Sequence, residues 1–95
     1  MPFLRIQTNH PLSEADARSL AGTSSAVVAK QLGKPERYVM TSVETNPAMQ
    51  FAGNDTPLAY LELKSIGLPE SITADVSKAL CELVTSATGI ASDRI

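Results

Sequence analysis

The hydropathy of this chain changes period along its length, and the order of those changes constrains the fold more than any single residue does. From Phe3 to Asn9 it alternates, with Leu4, Ile6 and Thr8 on one side and Phe3, Arg5, Gln7 and Asn9 on the other. That pattern is a strand running straight from the terminus, and His10-Pro11 ends it, because proline has no N–H to offer a ladder. Ala17, Leu20, Ala21, Ser24, Val27, Val28 and Leu32 then recur at helical spacing. Ser13 is a good N-cap, Glu14 and Asp16 suit the positive end of a helix, Gly33 is a natural terminator and Pro35 prevents resumption. A helix is predicted from about Ser13 to Leu32. Tyr38–Thr45 reads as a second strand with Val39, Thr41 and Val43 on one face. After Asn46-Pro47, a short extended piece is predicted at Ala48–Ala52, then a turn over Gly53–Pro57. Leu58–Ile66 is the third strand, with Ala59, Leu61, Leu63 and Ser65 on one face. Gly67-Leu68-Pro69 turns the chain into a second helix, Glu70–Thr88, striped by Ile72, Val76, Ala79, Leu80, Leu83, Val84 and Ala87.

The order is strand, helix, strand, then strand and helix: one βαβ unit and most of a second, in a single domain of 95 residues. Leu32–Val39 leaves the first helix much as Thr88–Ile95 leaves the second. A helix crossing a sheet must deliver the chain to a strand. A fourth strand and a tail are therefore expected after Arg94, where this sequence stops at Ile95. The expected architecture is α/β, an α+β sandwich of a four-stranded mixed sheet with both helices on one face. The opposite face carries Arg5, Gln7, Asn9, Glu62 and Lys64 among others, or the complementary set; either way it is mixed and partly polar, and meets solvent or the wet interior of an assembly. A chain this short buries a modest core, and oligomerisation is expected.

Composition removes several classes of function. The formal net charge is −2 with both signs mixed, which leaves no basic footprint for nucleic acid or an anionic membrane. No stretch is apolar enough to span a bilayer. Arg5, Gln7, Thr8 and Asn9 interrupt any secretory signal, so a cytoplasmic location is expected, with non-classical secretion left open. The single cysteine, Cys81, excludes an internal disulfide, and at the edge of the second helix's stripe it reads as packed. One histidine and one cysteine do not make a zinc site of the usual kind, so no metal is expected, and there is no dinucleotide fingerprint. Gly33-Lys34 is not a phosphate loop, because Val28 stands at the earlier glycine position and Pro35 at that of Ser or Thr. His10, beside Pro11, reads as a turn residue. Lys34 sits after the first helix, where a cation suits the dipole, at the end of the sheet where the crossover enters its next strand.

Pro2 follows the initiator methionine, which cells usually remove when the next residue is small. Removal would leave a secondary amine at the edge of the sheet. An α-amino group titrates near roughly 8, and desolvation or a nearby cation favours its neutral, basic form. The plain alternative is that Pro2 is simply the second residue. With Met1 attached its nitrogen is an amide and no base.

Taken together, Met1-Pro2, Asn9 with Pro11, Gly33-Lys34-Pro35 with Tyr38-Val39, Phe51-Ala52-Gly53, Ser65-Ile66-Gly67 and Ser92-Asp93-Arg94 resemble the macrophage migration inhibitory factor branch of the tautomerase superfamily, in order over the whole chain. The resemblance implies a homotrimer of βαβ-βαβ subunits with sheets inward and helices outside. It also implies keto–enol tautomerase activity on phenylpyruvate and dopachrome-like compounds, without cofactor. By position, Pro2 would be the catalytic base, while Lys34 and the backbone of Ile66 would bind the carboxylate of a small aromatic 2-oxo acid in a pocket between subunits. The family's neighbouring-subunit tyrosine and asparagine would fall just beyond Ile95. The vertebrate cytokine's Cys-x-x-Cys is replaced by Pro57-Leu58-Ala59-Tyr60, so no thiol–disulfide activity is expected. The alternative reading is a non-catalytic trimeric binding or cytokine-like signalling protein with a vestigial pocket and an unknown receptor.

Overall fold

The structure, a computed structural model, describes residues 2–95; Met1, on whose removal the Pro2 reading depends, lies outside the described residues. β1 (Phe3–Thr8) is the central strand. It pairs in parallel with β2 (Met40–Thr45), Phe3 opposite Met40, and antiparallel with β3 (Ala59–Lys64), Phe3 opposite Lys64. The sheet order is β2-β1-β3. Leu4, Ile6 and Thr8 are buried while Phe3, Arg5 and Gln7 are half-buried, so the two-residue period of β1 separates its faces as expected. Leu4 faces Leu63 and Ile6 faces Leu61 in register, which gathers the apolar rows of β1 and β3 on one side.

That side is covered by α1 (Glu14–Leu32) and α2 (Glu70–Thr88). Leu20, Ser24 and Val28 of α1 and Val76, Leu80 and Val84 of α2 are the buried positions, spaced by four as a helix stripe requires. They form one core with Leu4, Ile6, Ala59 and Ile90. Among the described residues, the polar side chains buried in this core, Thr8 and Ser24, are satisfied. Thr8 donates to Leu58 O at 2.7 Å, and Ser24 donates to Leu20 O at 2.6 Å. Thr41 of β2 donates to Ala21 O at 3.1 Å, tying that strand to α1.

Both helices end alike. Gly33 is in the left-handed region at φ 63°, with Lys34 N–H returning to Ala29 O at 3.0 Å. Gly89 stands at φ 77°. After each glycine comes one turn of 3₁₀ helix, Glu36–Tyr38 in the first unit and Ser92–Arg94 in the second. The pseudo-repeat read from sequence is thus present in the backbone.

The sheet has three strands among the described residues, the fourth having been expected after Arg94. Three other expectations are corrected. β2 begins at Met40 rather than Tyr38, since Tyr38 N–H and Val39 N–H close the 3₁₀ turn on Pro35 O and Glu36 O before Met40 N–H reaches Pro2 O. β3 runs over Ala59–Lys64 rather than Leu58–Ile66, its first neighbour Leu58 being held by side chains instead. Leu58 N–H donates to Asn9 Oδ1 at 2.9 Å, and its carbonyl accepts from Thr8. The extended piece expected at Ala48–Ala52 is not a strand: Ala48 lies in a bend, Met49 and Gln50 are irregular, and a tight turn begins at Phe51. Phe51 and Asn54 form an isolated antiparallel bridge around Ala52 (φ 55°) and Gly53 (φ 77°). Arg94 clamps this turn, donating to Phe51 O at 2.9 Å, Asn54 Oδ1 at 2.8 Å and Thr56 O at 2.7 Å.

Candidate active site

The site is assembled at the end of the sheet where β1 begins. Pro2 continues the β1 ladder, its carbonyl accepting from Met40 N–H at 2.9 Å. It has the parity of Leu4 and Ile6, and its side chain is fully buried. One residue past the last register pair, Ser65 stands across from Pro2 on the β3 side, and Val39 takes the corresponding place on the β2 side.

Lys34 reaches the same end from a different direction. The left-handed turn at Gly33 reverses the chain after α1, so the next side chain leaves the helix axis and crosses the sheet end. Its Nζ lies 3.2 Å from Ser65 Oγ and 3.4 Å from Ile66 O. Both partners are neutral acceptors. Among the described residues no carboxylate lies within ion-pair distance of Lys34, while Arg5, Arg18 and Lys64 each have one. An ammonium held by neutral groups keeps its charge for an outside anion.

Sequence reading placed Pro2, Lys34 and Ile66 in one site, and the structure brings all three to one end of the sheet. It adds that the Ile66 group on the lysine is the carbonyl oxygen, and that the Ile66 side chain, 84% exposed, is free to line an approach. Two neighbours had no assigned role in the sequence reading. Ser65 touches Lys34, and its signal was present, as the polar end of the Ala59, Leu61, Leu63 row. Tyr38 sits next to Val39 with its ring half-exposed and stacked under the Arg37 guanidinium, 4.7 Å from the ring centre. His10 and Cys81 lie elsewhere. His10 N–H donates to Thr8 Oγ1 at the opposite end of β1. Cys81, half-buried, lines an apolar groove of about 400 Å³ between β3 and α2 with Leu63, Leu68, Val76 and Ile95. That groove includes neither Pro2 nor Lys34. No cluster of metal-ligating side chains occurs among the described residues.

A central strand whose start lies beside the strand end that receives the lysine of the first βα crossover defines a class of small α+β proteins built from two βα units. The chain belongs to the macrophage migration inhibitory factor (MIF) family, whose profile matches residues 1–95. It is 46% identical over 67 residues to a macrophage migration inhibitory factor homolog of Brugia malayi, a match spanning 70% of this chain and 57% of that protein. It is 31% identical to D-dopachrome decarboxylase-B of Xenopus laevis over all of this chain and 81% of that one. Among solved structures, the macrophage migration inhibitory factor homologue of Prochlorococcus marinus superimposes with a TM-score of 0.91 at 45% identity, covering 98% of this chain and 82% of its own.

Proposed function

We propose that this protein is a keto–enol tautomerase acting on a small aromatic 2-oxo acid of the phenylpyruvate type, with the amine of Pro2 as its base once Met1 is removed. The observation that carries the reading is Lys34. Its ammonium is delivered to the end of β3 that lies across from Pro2, and it is held there without a carboxylate. Membership of a family that includes a relative named for dopachrome chemistry supports the same reaction class.

In the enol the hydroxyl is on C2 and the double bond runs from C2 to C3. The neutral amine takes the hydroxyl proton as the C2–O bond becomes a carbonyl, and the resulting ammonium returns a proton to C3. The sum is a proton moved from oxygen to carbon, with no oxidant, reductant or cofactor. The base must be neutral to start, and burial of the Pro2 ring opposes a charge on its nitrogen. Lys34 holds the carboxylate at the other end of the substrate, which fixes C2 and C3 over Pro2 and leaves the aromatic ring to apolar walls.

The sheet face away from the helices carries Met40 and Tyr60, each about half exposed, beside the Arg5–Glu44 ion pair. We assign that face to the interior of a homotrimer, with a neighbouring subunit completing the pocket.

The test is ketonisation of phenylpyruvate followed by absorbance, on protein whose intact mass shows Met1 removed, beside protein that retains it. Activity confined to the processed sample is expected, and it rises with pH as the Pro2 ammonium loses its proton. Inactivity of both samples overturns the enzyme reading in favour of a binding protein.

A further inference from the structure

The ammonium of Lys34 ends a stem of four methylenes, and without support it would sample many positions. It carries three N–H donors. Ser65 Oγ at 3.2 Å and Ile66 O at 3.4 Å occupy two of them. These acceptors are adjacent in sequence, at the end of β3, while the lysine comes from the turn after α1. Two fixed acceptors leave the third donor one direction. Ser65 also faces Pro2 one step beyond the last register pair of β1 and β3. The hydroxyl hydrogen of Ser65 is not spent on Lys34, because an ammonium only donates.

We propose that Ser65 is the positioning residue for substrate-carboxylate recognition. By accepting from Nζ it aims the remaining N–H of Lys34 at the carboxylate of a substrate lying over Pro2. This rests on the tautomerase reading for the identity of the substrate, and extends it to a group that selects acids over their esters. Ser65 directly follows Lys64, the last β3 residue paired with β1, so its short side chain starts from a backbone next to an anchored one. The Ile66 carbonyl contact is a backbone group that substitution leaves in place. The side chain at 65 therefore controls how narrowly the ammonium is held.

The experiment compares phenylpyruvate with its methyl ester in the wild type, Ser65→Ala and Ser65→Thr, all with Met1 removed. In Ser65→Ala the acid-over-ester ratio of kcat/KM falls by about three- to tenfold, the scale of one neutral hydrogen bond, through KM of the acid. Ser65→Thr, which restores a hydroxyl, keeps the wild-type ratio. An unchanged ratio in Ser65→Ala, or an equal loss on acid and ester, overturns the assignment. Titration with phenylacetate, read from the Ile66 amide signal in ¹⁵N–¹H NMR spectra, gives a second arm that needs no turnover. Weaker binding in Ser65→Ala with retention in Ser65→Thr supports the assignment, and unchanged affinity or no binding by wild type overturns it. Wild-type protein that binds phenylacetate but turns over neither substrate sinks the tautomerase reading alone.

Discussion

Lys34 is the residue on which the site turns, and its environment separates it from an ordinary helix-end cation. A lysine at a helix C-terminus gains from the dipole without touching anything. This one crosses to the neighbouring strand end and rests on Ser65 Oγ and Ile66 O. Lys34→Met keeps the stem and removes the charge, so KM for phenylpyruvate is expected to rise about tenfold or more while the fold is retained, checked by steady-state kinetics beside circular dichroism. Ala52 offers a test of a different kind. It holds φ 55° in the Phe51–Asn54 turn, a region that costs an L-residue about 1–2 kcal/mol. Glycine at that place loses about 0.5–1 kcal/mol of unfolded-chain entropy advantage. Relief exceeds loss, and Ala52→Gly is expected to stabilise by about 0.5–1 kcal/mol in urea denaturation. The Ala52 conformation was not legible in sequence, and for Ser65 the sequence showed a polar strand end without its partner. Alanine carries no mark of a positive φ, and a serine hydroxyl has many partners to choose from.

At the scale of the element, the end of α1 does two things. It stops the helix, and it launches Lys34 towards the sheet. Gly33 performs both with one backbone conformation, φ 63°. A Cβ there would meet nothing within 4 Å, so the cost of Gly33→Ala is conformational alone. Stability is expected to fall by about 1 kcal/mol, measured by urea denaturation, with a rise in KM for the acid substrate because the lysine leaves the turn at a changed angle. The helix boundaries were legible because their signals are local. Ser13 Oγ accepts from Asp16 N–H at 3.1 Å as the sequence requires of an N-cap, and α2 spans the predicted Glu70–Thr88. The strand ends were less legible. β2 loses Tyr38 to a 3₁₀ turn, and β3 loses Leu58 to the side chains of Thr8 and Asn9, which lie about 50 residues away in sequence.

For the whole molecule the open sheet face is the deciding feature. Met40 and Tyr60 lie half exposed on that face, and polar groups among them are already engaged, Arg5 with Glu44 and the Gln7 amide with Glu44 at 3.0 Å. Such a face is expected to be covered by copies of the chain. Light scattering on the eluting protein is expected to give three times the subunit mass of 10.1 kDa. Tyr60→Lys, which places an unpaired charge in that interface, is expected to shift the mass towards one subunit and to lower activity with it. A monomeric wild type at micromolar concentration would refute the trimer.

What the sequence determined by itself is everything that rests on local period and local caps: the order of strand and helix, the residues that share each strand face, the two glycine stops, and the repeat that relates Gly33 and the turn after it to Gly89 and the turn after it. These are short-range consequences of side-chain spacing and backbone sterics, so they are written in contiguous residues. The tertiary structure alone decided the pairing of β1 with both β2 and β3, and hence that the start of β1, the turn after α1 and the end of β3 meet. Lys34 and Ser65 are 31 residues apart, and only the sheet register puts them at hydrogen-bond distance. Contacts of that separation depend on which of several similar strands pair, a choice made by the burial of the whole core rather than by any one segment.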